Sequence, residues 1–220
     1  MRFAAILFDF DGVLIESEWA GNEHAAQWLT AAGHPVTTRQ ALDHFTGLSG
    51  QDFVDAIESL IAAPLPAGFH EARSEIDDRM IAEGIAEVEG AVRFVRSLDP
   101  ALPRAVVSSS RLRWIKAHLN HLGIADAFGP HLYSGREHVE RGKPAPDLYL
   151  HAARQLDVPI EQCVIIEDSA VGATGAVASG ATVIGFLGAD HIGEGHAERL
   201  QDIGVHHLAS TFDEVARLLA

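Results

Sequence analysis

The chain has one cysteine, Cys163, in 220 residues. A single thiol excludes an internal disulfide, and at the head of the apolar run Val164-Ile165-Ile166 it reads as a small buried hydrophobe. Positive charge is also scarce. Lys and Arg number 16 against 31 Asp and Glu, for a formal net charge of −15, spread along the chain rather than gathered in a tail. That balance disfavours phosphate backbones and anionic membrane surfaces, so no nucleic-acid or membrane partner is expected. An anionic substrate would need local help from a metal or from a few placed cations. No stretch approaches ~18 uninterrupted apolar residues, which argues against a membrane span. Met1-Arg2-Phe3 shows no signal-peptide cleavage pattern, and the expected localisation is cytoplasmic. Neither a P-loop nor a G-x-S-x-G elbow is present. Gly172, Gly175 and Gly180 lack the dinucleotide-binding spacing and are expected to allow close helix–sheet packing.

What is present is a strand–helix alternation. Apolar strand candidates lie at 3–8, 104–108, 131–134, 163–167 and 181–186. Helical patterns fill the intervals, such as Leu112, Ile115, Leu119 and Leu122 at helical spacing. This implies an α/β fold with a Rossmann-like parallel sheet. The interval 15–85 differs, because it holds helical stretches at 17–32, 40–45, 51–61 and 69–85 and no convincing strand. The expected organisation is a core of residues 1–14 and 86–220 with an inserted α-helical domain of residues 15–85.

In open parallel sheets, ligands bind at the carboxyl ends of the strands. Four such ends carry polar groups here. Ala5-Ile6-Leu7-Phe8 runs into Asp9-Phe10-Asp11-Gly12, and alternation points both carboxylates to one side. Two carboxylates together repel unless a cation or a shared proton offsets them. The second end is Ser108-Ser109-Ser110. The loop after the third carries Gly142-Lys143-Pro144, and the fourth ends in Glu167-Asp168-Ser169. Each has an ordinary reading too. Lys143 precedes a Pro-initiated helix, the serines could cap the helix near Arg111, and Glu167-Asp168-Ser169 could be a solvated turn. The histidines of the later loops, His191 and His196 among them, read as solvated. Arg111, Arg136 and Arg141 read as surface charges.

In order and placement these segments resemble the four motifs of the haloacid dehalogenase superfamily, and the helical interval matches that family's C1 cap. The subgroup most similar is that of β-phosphoglucomutases and small sugar-phosphate phosphatases. The resemblance implies Mg²⁺ held by Asp9, Asp168 and the Asp11 carbonyl, with Glu167 also in the metal site. It implies Asp9 as nucleophile forming an aspartyl-phosphate, Asp11 as acid–base, and Lys143 neutralising charge. Ser108 and Ser109 would hold the phosphoryl oxygens. One departure is Glu16, where relatives usually carry Asp at the entry to the cap.

The cap loop 46–51 is expected to read the substrate, through Gly47, Ser49 and Gln51. In the matching loop of β-phosphoglucomutases, Lys and Arg stand where this chain has Thr46 and Gly50, which favours hydrolysis over mutase chemistry. The expected function is a Mg²⁺-dependent phosphatase, acting as a monomer or weak homodimer on a small phosphorylated metabolite, a sugar or sugar-acid phosphate. The alternatives are a phosphosugar mutase and, less favoured, a catalytically idle binding module.

Overall fold

The computed structural model describes residues 3–46, 48 and 50–220. It divides into two compact units, one of residues 1–16 and 86–220, the other Ser17–Ile85. The second unit is helical: α1 (Ser17–Ala31), α2 (Thr38–Phe45), α3 (Gly50–Ile61) and α4 (Phe69–Glu83). Its apolar residues at helical spacing bury against one another, with Leu29, Ala41, Phe45, Ile57 and Phe69 at the centre. Thr37 and Gln40 close a capping box at the start of α2, each side chain accepting the other's backbone N–H.

The first unit alternates strands and helices. Its helices are α5 (Ala91–Ser97), α6 (Leu112–Leu122), α7 (Ala125–Phe128), α8 (Asp147–Gln155), α9 (Ala170–Ser179), α10 (His196–Ile203) and α11 (Phe212–Leu219). Its strands are β1 (Ala5–Phe8), β2 (Arg104–Ser108), β3 (Leu132–Ser134), β4 (Cys163–Glu167), β5 (Thr182–Phe186) and β6 (His207–Ala209). They form one sheet in the order β3-β2-β1-β4-β5-β6, with every pairing parallel. β1, β2 and β4 are buried along their whole length, as expected of parallel strands covered on both faces. On one face Ala5 and Leu7 pack with Leu148, Tyr149, Ala152 and Ala176. On the other, Phe8 meets Phe94 and Phe128 edge-to-face, and the aromatic contact continues through Phe212 to Phe186.

Two expectations change. The helical insert begins two residues later than position 15, because Ile15 bridges both Asp11 and Glu87 and Glu16 donates its N–H to the Ala86 carbonyl at 3.0 Å. The edge strand β6, preceded by His206 and only three residues long, was not expected from the sequence. None of the described helices is long and apolar enough to cross a membrane.

Candidate active site

β1 lies between β2 and β4, where the chain turns from building one side of the sheet to building the other. Ligands of open α/β sheets bind at such a switch point. Asp9 carries the ladder one residue beyond β1, donating its N–H to the Ile166 carbonyl at 2.9 Å. The chain then turns at Gly12, whose φ of +82° suits glycine. A Cβ there would lie 2.2 Å from Asp168 Oδ2 and 2.8 Å from His191 Cε1, so only a bare backbone lets those two side chains approach.

Asp9, Glu167 and Asp168 gather at this point, all buried, with one oxygen from each within 4.8 Å of the others. Lys143 arrives from the loop between β3 and α8. Its Nζ lies 2.5 Å from Asp9 Oδ1 and 2.8 Å from Glu167 Oε2. Tyr149 donates its hydroxyl to the same Glu167 oxygen at 2.7 Å, while Ser169 supplies its hydroxyl (2.7 Å) and its N–H (3.1 Å) to Oε1. Both Glu167 oxygens are thus engaged, and the residue anchors Lys143.

The electrostatics are those of a site short of positive charge. Burial, then the Glu167 and Asp168 charges, push the Asp9 carboxyl well above the usual carboxylate range despite Lys143. Asp168 is raised in the same way, by burial and then Glu167. Burial works against the Lys143 ammonium, but Asp9 and Glu167 outweigh it and hold its pKa well above the usual lysine value. With all groups counted as ionised, three carboxylates face one ammonium, a formal excess of two negative charges. Asp168 Oδ1 is buried with no hydrogen-bond partner. An all-oxygen donor set with that charge deficit fits a hard divalent cation held by Asp9 and Asp168.

Asp11 turns to the end of β2 and the first turn of α6. Its Oδ2 accepts from the Ser110 hydroxyl at 2.7 Å and the Ser108 hydroxyl at 3.2 Å, and its Oδ1 accepts the Trp114 indole N–H at 2.9 Å. The serines do not cap α6. Arg111 occupies its N-cap without a side-chain bond, and Leu112 N–H goes to Glu137 Oε1. Ser109 is exposed, and its carbonyl accepts from Arg136 Nε at 3.2 Å. Arg141 pairs with Asp147 at the exposed start of α8.

The structure brings Asp9, Asp11, Ser108, Lys143, Glu167 and Asp168 to one end of the sheet. Gln51 lies in the helical unit, where its side chain bonds Asp55 at 2.8 Å. Gly47 and Ser49 lie outside the described residues. The longer Glu16 side chain accepts the Asp190 N–H with both oxygens, at 3.3 and 3.2 Å.

Sequence reasoning missed Trp114 and Tyr149, named Ser110 at its strand end without a role of its own, and misjudged two histidines. His191 is buried with Nε2 3.1 Å from Asp168 Oδ2, and His196 Nε2 lies 2.5 Å from the Asp168 carbonyl. His191 lies in the loop after β5 and His196 opens α10 just beyond it, a stretch whose glycines and acids resemble a solvated turn. The α9 glycines also do more than admit close packing. A Cβ on Gly172 would overlap the Glu167 carboxylate, and one on Gly175 would lie 2.8 Å from the Ala145 carbonyl and 2.9 Å from the Pro144 carbonyl, in the Lys143 loop.

The chain also resembles known proteins along most of its length. The chain is 26% identical over 192 residues to 6-phosphogluconate phosphatase of Escherichia coli K12, covering 86% of this chain and 85% of that one. It is 30% identical to hexitol phosphatase A of the same organism, covering 84% and 83%. A crystal structure of a HAD family hydrolase from Deinococcus radiodurans, with bound phosphate and sodium, superposes with a TM-score of 0.84 at 31% identity, covering 100% of this chain and 96% of that one. A family model for haloacid dehalogenase-like hydrolases matches residues 3–180. The chain belongs to the haloacid dehalogenase-like hydrolase family.

Proposed function

We propose that this hydrolase is a Mg²⁺-dependent phosphatase that acts on a small phosphorylated metabolite, a sugar or sugar-acid phosphate, through an aspartyl-phosphate on Asp9. The observation that carries this reading is the Lys143 bridge between Asp9 and Glu167 beside Asp168, in a buried site with two negative charges in excess. Phosphatases acting on phosphorylated hexitols and on 6-phosphogluconate are among its relatives, which supports the substrate class.

When bound, Mg²⁺ would supply charge neutralisation at a phosphoryl oxygen, held by Asp9, Asp168 and the Asp11 carbonyl with Glu167 behind them. Asp9 attacks phosphorus in line, and the bond to the ester oxygen breaks with its electron pair on that oxygen. Asp11 gives that oxygen a proton, then takes one from the water that opens the aspartyl-phosphate. Lys143 offsets negative charge on Asp9 and on the group in transfer. Ser108 and Ser109 hold the phosphoryl oxygens, the Ser108 hydroxyl turning from Asp11 to do so.

The test is a panel of phosphorylated metabolites assayed for phosphate release with Mg²⁺ and with EDTA. Sugar and sugar-acid phosphates should be hydrolysed only with Mg²⁺, and Asp9→Asn should be inactive yet folded. Unchanged turnover in Asp9→Asn would refute the nucleophile. Turnover that needs priming by a sugar bisphosphate, without stoichiometric phosphate release, would identify a mutase instead.

A further inference from the structure

We propose that Trp114 is a positioning residue for Asp11 and that it decides which Asp11 oxygen carries the transferable proton. The inference rests on the phosphatase reading above, in which Asp11 is the acid–base.

The carboxyl plane of Asp11 is set by donors on two sides. Trp114 Nε1 stands 2.9 Å from Oδ1, while the Ser110 and Ser108 hydroxyls stand 2.7 and 3.2 Å from Oδ2. These donors differ in kind. A hydroxyl both donates and accepts, and its hydrogen rotates freely, whereas an indole N–H only donates. Oδ1 must therefore remain an acceptor in both protonation states. A proton on Asp11 belongs on Oδ2, where the hydroxyls can turn from donors to acceptors. Trp114 thus orients the acid with one fixed oxygen and one exchangeable one.

Its own ring is fixed from behind. His118, one turn further along α6 and fully buried, lies edge-on to the indole with centroids 4.3 Å apart at 71°. Trp114 lies off the apolar stripe of Leu112, Ile115, Leu119 and Leu122, in the first turn of the helix. Only the fold brings it to a carboxylate 103 residues away.

The role has a signature that a purely structural tryptophan would lack. Protonation of the leaving oxygen matters for an alkyl phosphate and hardly at all for p-nitrophenyl phosphate, whose leaving group departs as a stable anion. Trp114→Phe keeps a ring against His118 and removes the donor. For the alkyl ester, kcat/KM, which reports steps up to phosphoryl transfer, should fall ~10–100-fold; for the aryl ester the fall should stay within ~3-fold. In an Asp11→Asn background, Trp114→Phe should add nothing. Equal losses on both esters, or a full additional loss in that background, would overturn the role. A wild type that releases phosphate from neither ester would sink the phosphatase reading and the role with it. Should Trp114→Phe fail to fold, NMR of the three indole N–H groups of Trp19, Trp28 and Trp114 reads the same contact. Asp11→Asn should move one of the three resonances and leave two in place; three unmoved resonances would overturn the contact.

Discussion

Gly172 and Glu167 compete for the same space. A Cβ built on Gly172 would lie 2.1 Å from the Glu167 carboxyl carbon and within 2.3 Å of both its oxygens. The first turn of α9 is glycine there because the carboxylate that anchors Lys143 already fills the side-chain volume.

Gly172→Ala should therefore push Glu167 off Lys143 and Tyr149. The expected cost is ~1–3 kcal/mol of stability, together with a loss of phosphate release. Gly21→Ala is the matched control, since nothing lies within 4 Å of a Cβ there. In the interior of α1 it should stabilise by up to ~1 kcal/mol. Melting curves of the two variants check both signs, and a Gly172→Ala protein as stable as wild type would contradict the overlap.

Asp9→Asn should separate chemistry from stability. Under the proposed mechanism, in which Asp9 is the nucleophile, phosphate release should drop at least ~10³-fold. Burial and the neighbouring carboxylates already disfavour the Asp9 charge, so its neutral isostere should melt higher than wild type without divalent ion. Lys143 keeps Glu167 as a partner in that variant. A lower melting temperature in EDTA would show that the Lys143–Asp9 pair outweighs the cost of burying the charge.

Added Mg²⁺ should raise the melting temperature of the wild type, corresponding to ~2.7 kcal/mol when the ion is at about 100 times its dissociation constant. Asp168→Asn removes a charge whose Oδ1 is buried without a partner and should abolish most of that gain. Calorimetric titration of the two proteins gives the same comparison without reference to activity. An undiminished gain in Asp168→Asn would remove Asp168 from the ion site.

His118 should make stability fall with acid. Burial, with His121 adding and Asp11 opposing, lowers its pKa from 6.5 to about 4, and neither ring nitrogen has a hydrogen-bond partner. A depressed histidine costs nothing while both states are neutral. Below about pH 6.5 the unfolded chain takes up a proton that the folded protein refuses, so stability falls toward pH 4 by up to ~3 kcal/mol. His118→Leu should remove that slope, its advantage over wild type growing as pH drops from about 7.5 to about 5. A difference in melting temperature that stays constant across this range would contradict the assignment.

Cys163 heads β4 with no exposure, and burial, with Glu161 adding, pushes its thiol up to about 11. Iodoacetamide at mildly alkaline pH should leave the native protein unmodified and label it fully once it is unfolded. Mass spectrometry after timed quenching measures both rates, and fast native labelling would contradict the burial.

The sheet was legible because its strands are short apolar runs ended by polar breaks, and the helical interval because it lacks such runs. β6 was not, since a three-residue edge strand that itself begins with His207 carries little apolar signal. Within the site, the polar groups at strand ends stood out by position, and the family resemblance supplied their expected roles. Trp114, Ser110, Tyr149, His191 and His196 sit on helices and loops whose local patterns look like packing or solvation. Their contacts with Asp11, Glu167 and Asp168 exist only after distant segments meet. The glycines of α9 show the same limit, because spacing reveals small residues but not the carboxylate or carbonyls that require them.

The departure and return points of the helical insert are fastened to each other within the sheet unit, Ile15 bridging Glu87 and Glu16 N–H meeting the Ala86 carbonyl. The chain can thus leave at one end of this clasp and re-enter at the other while β1 keeps its register with β2 and β4. Lengthening, shortening or exchanging what lies between need not disturb the carboxylates at the end of β1, so selection can remodel the insert while that end of the sheet stays fixed.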